Sequence, residues 1–172
     1  SLLYEKISSE RPLTKDYTKY APTARLKPVA LTETHRIETE KTAYPKINLL
    51  SNGTYSVMLN NSGTGYSHFD QTEITRWGAD FTANELGSFC YIKDLQTGNY
   101  WSSTYQPTLK KPDFYSVHFT SDKIEYKRRD FEIETITEIV VSPEDNAEIR
   151  HLTFVNLSSV KRHLEITSYL EL

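Results

Sequence analysis

The chain has one cysteine, Cys90, among its 172 residues. No disulfide can form within it, a usage that fits a reducing compartment. No run of about 18 apolar residues occurs, which excludes a membrane-spanning helix on the basis of hydropathy. Residues 1–6 lack both the basic flank and the long apolar core of a secretory signal. They also lack an initiator Met, which leads us to expect an excised or processed piece of a longer chain. Positive charge is not in excess: 20 Lys and Arg stand against 23 Asp and Glu, a net charge of −3. Such a balance offers no basic field to hold nucleic acid. The sequence contains no GxSxG, P-loop or GxGxxG pattern, and no two of its five histidines fall at metal-ligand spacing. These absences lead us to expect no catalytic group, no metal and no cofactor.

What the chain does have is concentrated. All six glycines and both tryptophans lie within residues 51–107. Glycine marks positions where the backbone turns to positive φ or where something approaches it closely. Before this stretch, residues 1–44 contain no glycine and little sustained apolar period. They read as an extended linker with a short helix carrying Leu2, Leu3 and Ile7. After it, alternation takes over. Tyr55, Val57 and Leu59 share one face of a strand, and a turn over residues 60–65 folds it into a hairpin. Residues 87–94 are apolar on both faces and read as a buried strand, returned by Tyr100-Trp101-Ser102 through a turn at Gly98. Residues 131–141 give the strongest strand, with Phe131, Ile133, Thr135, Thr137, Ile139 and Val141 on one face and glutamates on the other. Strands then recur at about twelve-residue spacing to the end. The expectation is an all-β antiparallel sandwich over residues 45–172, incomplete at its C-terminus.

Within this sheet the chemistry that could meet a ligand sits at Thr75, Arg76 and Trp77, with Tyr66 and Gln106 as possible neighbours. An arginine forks onto a carboxylate, a phosphate or a pair of sugar hydroxyls, and a tryptophan beside it stacks on a pyranose face. The alternative is structural: Trp77 plugs the sandwich and Arg76 pairs with Asp70 or Asp80. Trp101, inside a strand, reads as core. A paired-carboxylate site needs a geometry that the sequence does not display.

The ordered segments Asn48 through Val57, Asn61 through Ser67, Thr75-Arg76-Trp77, Gly87 through Asp94, Tyr100-Trp101-Ser102, Tyr105-Gln106-Pro107 and Val140 through Arg150 resemble one family. It is the N-terminal β-domain of glycoside phosphorylases such as cellobiose and chitobiose phosphorylase, and the likeness is closer still to the bacterial cyclic β-1,2-glucan synthases. The resemblance implies a galactose-mutarotase-like supersandwich, here a fragment, that packs on a helical barrel carrying the catalytic acid and the phosphate site. It implies a non-catalytic role in glucan synthesis or phosphorolysis, with Thr75, Arg76 and Trp77 as cleft residues. The partners implied are a β-glucan or oligosaccharide, the other domains of the parent enzyme and a further copy of the chain. The place implied is the cytoplasmic side of the inner membrane, as part of a larger membrane enzyme. Three rivals stand beside this reading: a stand-alone carbohydrate-binding module, an assembly module, and a mutarotase-like epimerase using His118 and Glu134.

Overall fold

The computed structural model describes residues 35–76 and 86–171, which fall within one compact unit, Thr32–Leu172. Every regular element among them is a strand: β1 (His35–Ile37), β2 (Ile47–Ser51), β3 (Tyr55–Asn60), β4 (Gly65–Phe69), β5 (Thr72–Glu73), β6 (Ser88–Asp94), β7 (Tyr100–Ser102), β8 (Phe114–Phe119), β9 (Ile124–Asp130), β10 (Ile133–Val141), β11 (Glu148–Asn156) and β12 (Leu164–Leu170). They form three antiparallel sheets, ordered β1-β8-β9-β10-β11, β2-β3-β4-β5 and β12-β6-β7. β1 lies inside the stretch expected to be linker, and its three residues pair with the end of β8, His35 opposite Phe119. The short helix expected near the N-terminus lies outside the described residues, as do Trp77 and Asp80.

Period-two alternation decides which side of each strand is buried. On β10, Ile133, Thr135, Thr137 and Ile139 are at most 3% exposed. The opposite face carries Glu134, paired with Lys127 at 2.9 Å, and Glu138, paired with Lys123 at 2.7 Å. The larger core joins the five-stranded and four-stranded sheets: Leu50, Val57 and Leu59 pack with Val117, Ile124, Tyr126 and Ile139. A smaller core of Ile92, Trp101 and Ile133, flanked by Phe154 and Leu164, joins β6, β7 and β12 to the five-stranded sheet. Trp101 is fully buried, as its place in a strand leads one to expect.

Two local features differ from the sequence expectation. Phe131 is not the first residue of a strand. Asp130 and Ile133 pair directly, so Phe131 and Glu132 form a two-residue hairpin turn with φ of 50° and 64°. That turn needs left-handed backbone at both central positions to match the strand twist, and neither residue is the usual Gly or Asn. The Phe131 ring still contributes, lying 5.8 Å from that of Trp101. Gly65 also serves the fold by close approach rather than by turning. A Cβ there would stand 1.9 Å from the carbonyl oxygen of Met58 on the neighbouring strand, whereas Gly63 at φ 95° supplies the turn.

Candidate functional site

The hairpin β3–β4 presents Thr75 and Arg76 through short-range backbone pairing. Ile74 and Thr75 both donate N–H bonds to Ser67 O, at 2.9 and 3.3 Å. Thr75 Oγ1 in return accepts from Ser67 N at 2.9 Å. Thr75 is 4% exposed, so its hydroxyl is spent as a latch on β4. Arg76 follows it into solvent. Its N–H donates to Glu171 O at 3.3 Å, and its guanidinium stands 3.8 Å from the Glu171 carboxylate. Glu171, rather than Asp70, is therefore the acid beside it. With the arginine side chain 67% exposed, the pair is a loose surface one of little energetic weight. Tyr66 lies opposite Met58 across the hairpin, on the face of β4 away from Ser67.

Beneath Ser67 lies a polar cluster that joins all three sheets. Glu148 Oε2 accepts from Ser67 Oγ at 2.6 Å and from the Tyr55 hydroxyl at 3.4 Å. Its other oxygen pairs with Arg150 Nε at 2.7 Å, and Arg150 Nη1 donates to Ser88 O at 2.7 Å. Burial, together with the Glu148 charge, pushes the Tyr55 hydroxyl above its ordinary value. A pair of charges on alternate residues of a core-facing strand is costly to bury unless it is fully partnered. The parity of Glu148 and Arg150 with Leu152 and Phe154 on β11 is the signal that sequence reading passed over. This cluster holds β4 at Ser67 and the start of β6 at Ser88, and Ser67 in turn holds Thr75, the base from which Arg76 projects.

Gln106 belongs to a different place. It lines a cleft of about 520 Å³ together with Lys41, Tyr44, Ser62 and Tyr105, and that cleft contains none of Tyr66, Thr75 and Arg76. The segment 40–46 lies over the 60–64 turn, held by the Asn61 side chain: Lys46 N donates to Asn61 Oδ1 at 2.9 Å, and Asn61 Nδ2 donates to Glu40 O at 3.3 Å. From below, the buried hydroxyls of Tyr115 and Tyr126 donate to Asn61 O and Asn60 O at 2.8 and 2.6 Å. Burial pushes both phenols up, which keeps them protonated donors. The structure thus divides the five sequence candidates, with Thr75 and Arg76 at one rim, Tyr66 half-buried on the other face of β4 from Ser67, Gln106 in the cleft, and Trp77 outside the described residues.

Neither a metal centre nor an epimerase pair is assembled among the described residues. No three of their His, Cys, Asp and Glu side chains lie together closely enough to hold a metal. Glu134 is engaged by Lys127. His118 lies opposite Glu125, which lies opposite Glu138, four residues along β10 from Glu134. His118 and Glu134 therefore do not converge on a common point.

Comparison with known proteins agrees with this architecture. Residues 32–172 match the family model described as the glycosyl hydrolase 94 supersandwich domain. The cyclic beta-(1,2)-glucan synthase NdvB of Rhizobium meliloti (strain 1021) is 35% identical over 123 residues, covering 72% of this chain and 4% of that protein. The N,N'-diacetylchitobiose phosphorylase of Vibrio furnissii is 25% identical over 133 residues, covering 74% of this chain and 16% of that enzyme. The 3-O-beta-D-glucopyranosyl-beta-D-glucuronide phosphorylase of Paenibacillus borealis is 27% identical over 130 residues, with 76% and 16% covered. The chain thus spans a small part of each relative, and over that part it belongs to the glycosyl hydrolase 94 supersandwich family.

Proposed function

We propose that this domain forms a non-catalytic wall of a carbohydrate cleft in a larger enzyme that builds or phosphorolyses β-linked glucan. The bond-making chemistry belongs to another domain, a helical barrel of the kind the family resemblance implies. The observation that carries the reading is Arg76. It is presented on a rigid base, its neighbour Thr75 is latched to β4, and its guanidinium is free enough to fork onto sugar hydroxyls. Trp77, the next residue in the sequence, has the aromatic side chain on which a pyranose face can stack. Relatives named as a glucan synthase and as disaccharide phosphorylases support the substrate class. The likeness to the glucan synthase further supports a parent enzyme that works on the cytoplasmic side of the bacterial inner membrane.

The test is kinetic and uses the full-length enzyme that contains this domain. Arg76→Ala and Trp77→Ala should raise KM for the oligosaccharide about tenfold, corresponding to roughly 1.4 kcal/mol of lost sugar contact. Unchanged kcat and KM in both variants would remove the cleft-wall role.

A further inference from the structure

Each of the three sheets has two edge strands, and among the described residues only one of these is unguarded. β1, β5 and β7 run for three, two and three residues, too short to template another chain. β2 starts behind Pro45 and Lys46, and β11 turns the charges of Glu148 and Arg150 inward. Both are devices that discourage pairing at an edge. β12 has neither. It runs for seven residues, Leu164-Glu165-Ile166-Thr167-Ser168-Tyr169-Leu170, without Pro, Gly or Lys, and it pairs with β6 on one side only.

The ladder fixes what the open side of β12 offers. His163 O accepts from Leu95 N at 2.9 Å, just beyond the end of β6, so the odd-numbered residues of β12 turn their backbone groups toward β6. In an antiparallel ladder the residues between them turn theirs the other way. The N–H and C=O groups of Leu164, Ile166, Ser168 and Leu170 therefore line the open edge. The same four residues lie opposite Asp94, Ile92, Cys90 and Ser88, so their side chains share the inner face, where Ile166 and Leu170 are half-exposed. An occupant must supply a strand with apolar side chains alternating on one face and backbone donors and acceptors in step.

β12 itself meets that requirement. Laid antiparallel on a second copy about a two-fold axis at Thr167, Leu164 falls opposite Leu170 and Ile166 opposite Ser168. All four open residues then pair with open residues of the other copy. Glu165 falls opposite Tyr169, and His163 opposite Glu171, so no two carboxylates face each other. Slipping the pairing by two residues ends this match. One direction sets Glu165 against Glu171, a like-charge pair. The other sets Leu170 against Arg162, whose guanidinium is already committed to Asp94.

We propose that β12 is a self-pairing edge, through which two copies of this chain join their three-stranded sheets into one of six, ordered β7-β6-β12-β12-β6-β7. Sedimentation velocity of the 172-residue chain over a dilution series should show a monomer–dimer equilibrium and nothing larger. Ser168→Pro removes an open-side N–H and leaves the bonds to β6 in place. It should keep the β-sheet circular dichroism and raise the dimer dissociation constant about tenfold or more. Thr167→Cys combined with Cys90→Ser reads the register. Thr167 faces its own copy in a non-hydrogen-bonded pair, where Cα atoms stand about 4.5 Å apart, within disulfide reach. Mild oxidation should therefore cross-link this variant into dimers. Glu165→Cys in the same background should not cross-link, since its two copies lie about four residues, or ~13 Å, apart along the strands. A chain that stays monomeric throughout the series would overturn the proposal and leave the edge to a strand from another part of the parent enzyme. A dimer whose dissociation constant is unchanged in folded Ser168→Pro would overturn it in favour of another surface. Should Ser168→Pro lose its sheet signal, the cross-link decides: no dimer from Thr167→Cys, or an equal yield from Glu165→Cys, would overturn the proposal.

Discussion

Strands β10 and β12 look alike in sequence and fare differently in the fold. Both alternate apolar and polar residues, and both have one core-facing side. On β10 that side is closed: Ile133 and Ile139 are each 1% exposed. On β12, Leu164 reaches the small core, but Ile166 and Leu170 are 50% and 51% exposed. Register places Ile166 directly opposite Ile92, which is fully buried, so the face is the inner one. Alternation therefore reports which way a side chain points, and only the neighbouring layer decides how much it stabilises. Each region also carries a buried Arg–Asp pair. Arg128 donates Nε and Nη2 to Asp130, both at 2.7 Å, and Nη1 to Thr104 O. Arg162 donates Nε to Asp94 at 3.0 Å and Nη2 to the same oxygen, but Asp94 also accepts from Gln96 N and Thr97 Oγ1, both at 2.9 Å.

The largest effect is expected at the closed region. Arg128→Ala strands a buried carboxylate that took two hydrogen bonds from it, and should cost about 3–5 kcal/mol in a urea melt. Arg162→Ala should cost clearly less, because Asp94 keeps two donors from its own turn. Equal losses in the two variants would mean that the two pairs are equally dependent on their arginines, and would break the contrast. The next effect compares aliphatic residues on the two strands. Ile139→Ala opens a cavity in the main core and should cost about 2–5 kcal/mol. Ile166→Ala, half-exposed, should cost about 1 kcal/mol or less.

Much of this contrast was legible beforehand in one respect only. The hairpins at residues 60–65 and 94–100, the faces of β10 and the burial of Trp101 follow from period, turn residues and strand context, all local properties. Burial of β12 does not, because cover is a property of another layer. The Phe131–Glu132 turn was missed because its composition lacks the Gly or Asn that signals left-handed backbone, and pairing of Asp130 with Ile133 overrides that local cost. The candidate site suffered most from the same limit. Residues 66, 75, 76 and 106 share a polar and aromatic chemistry, but the fold keeps only Thr75 and Arg76 together, with Tyr66 on the other face of β4 from Ser67 and Gln106 in the cleft beside the 60–64 turn. Glu148 and Arg150, which brace one of those surfaces, share the parity of Leu152 and Phe154 on β11, and only the position of the core makes that parity the inward one.

The smallest expected effect concerns pH, and it sharpens the comparison of the two pairs. Burial alone would push the Asp94 carboxyl up. The Gln96 N–H, the Arg162 guanidinium and the Thr97 hydroxyl outweigh it and hold the group below its usual value of 3.8. An acid depressed in the folded state binds its proton less readily there than in the unfolded chain. Its contribution to stability is therefore complete above the unfolded value and is lost as pH falls through the lower folded one. Glu138 on the outer face of β10 behaves in the same direction from its usual 4.5, through Lys123 first and then His151. Denaturant midpoints measured from neutral pH down through this window should fall for the natural chain. Asp94→Asn should start lower at neutral pH and decline less steeply in acid, because the proton-linked part of the interaction is gone. Adding Glu138→Gln should flatten the acid limb further. A slope unchanged in the double variant would place the acid sensitivity in other carboxylates and remove Asp94 as the group that ties β12's lead-in to β6 through its charge.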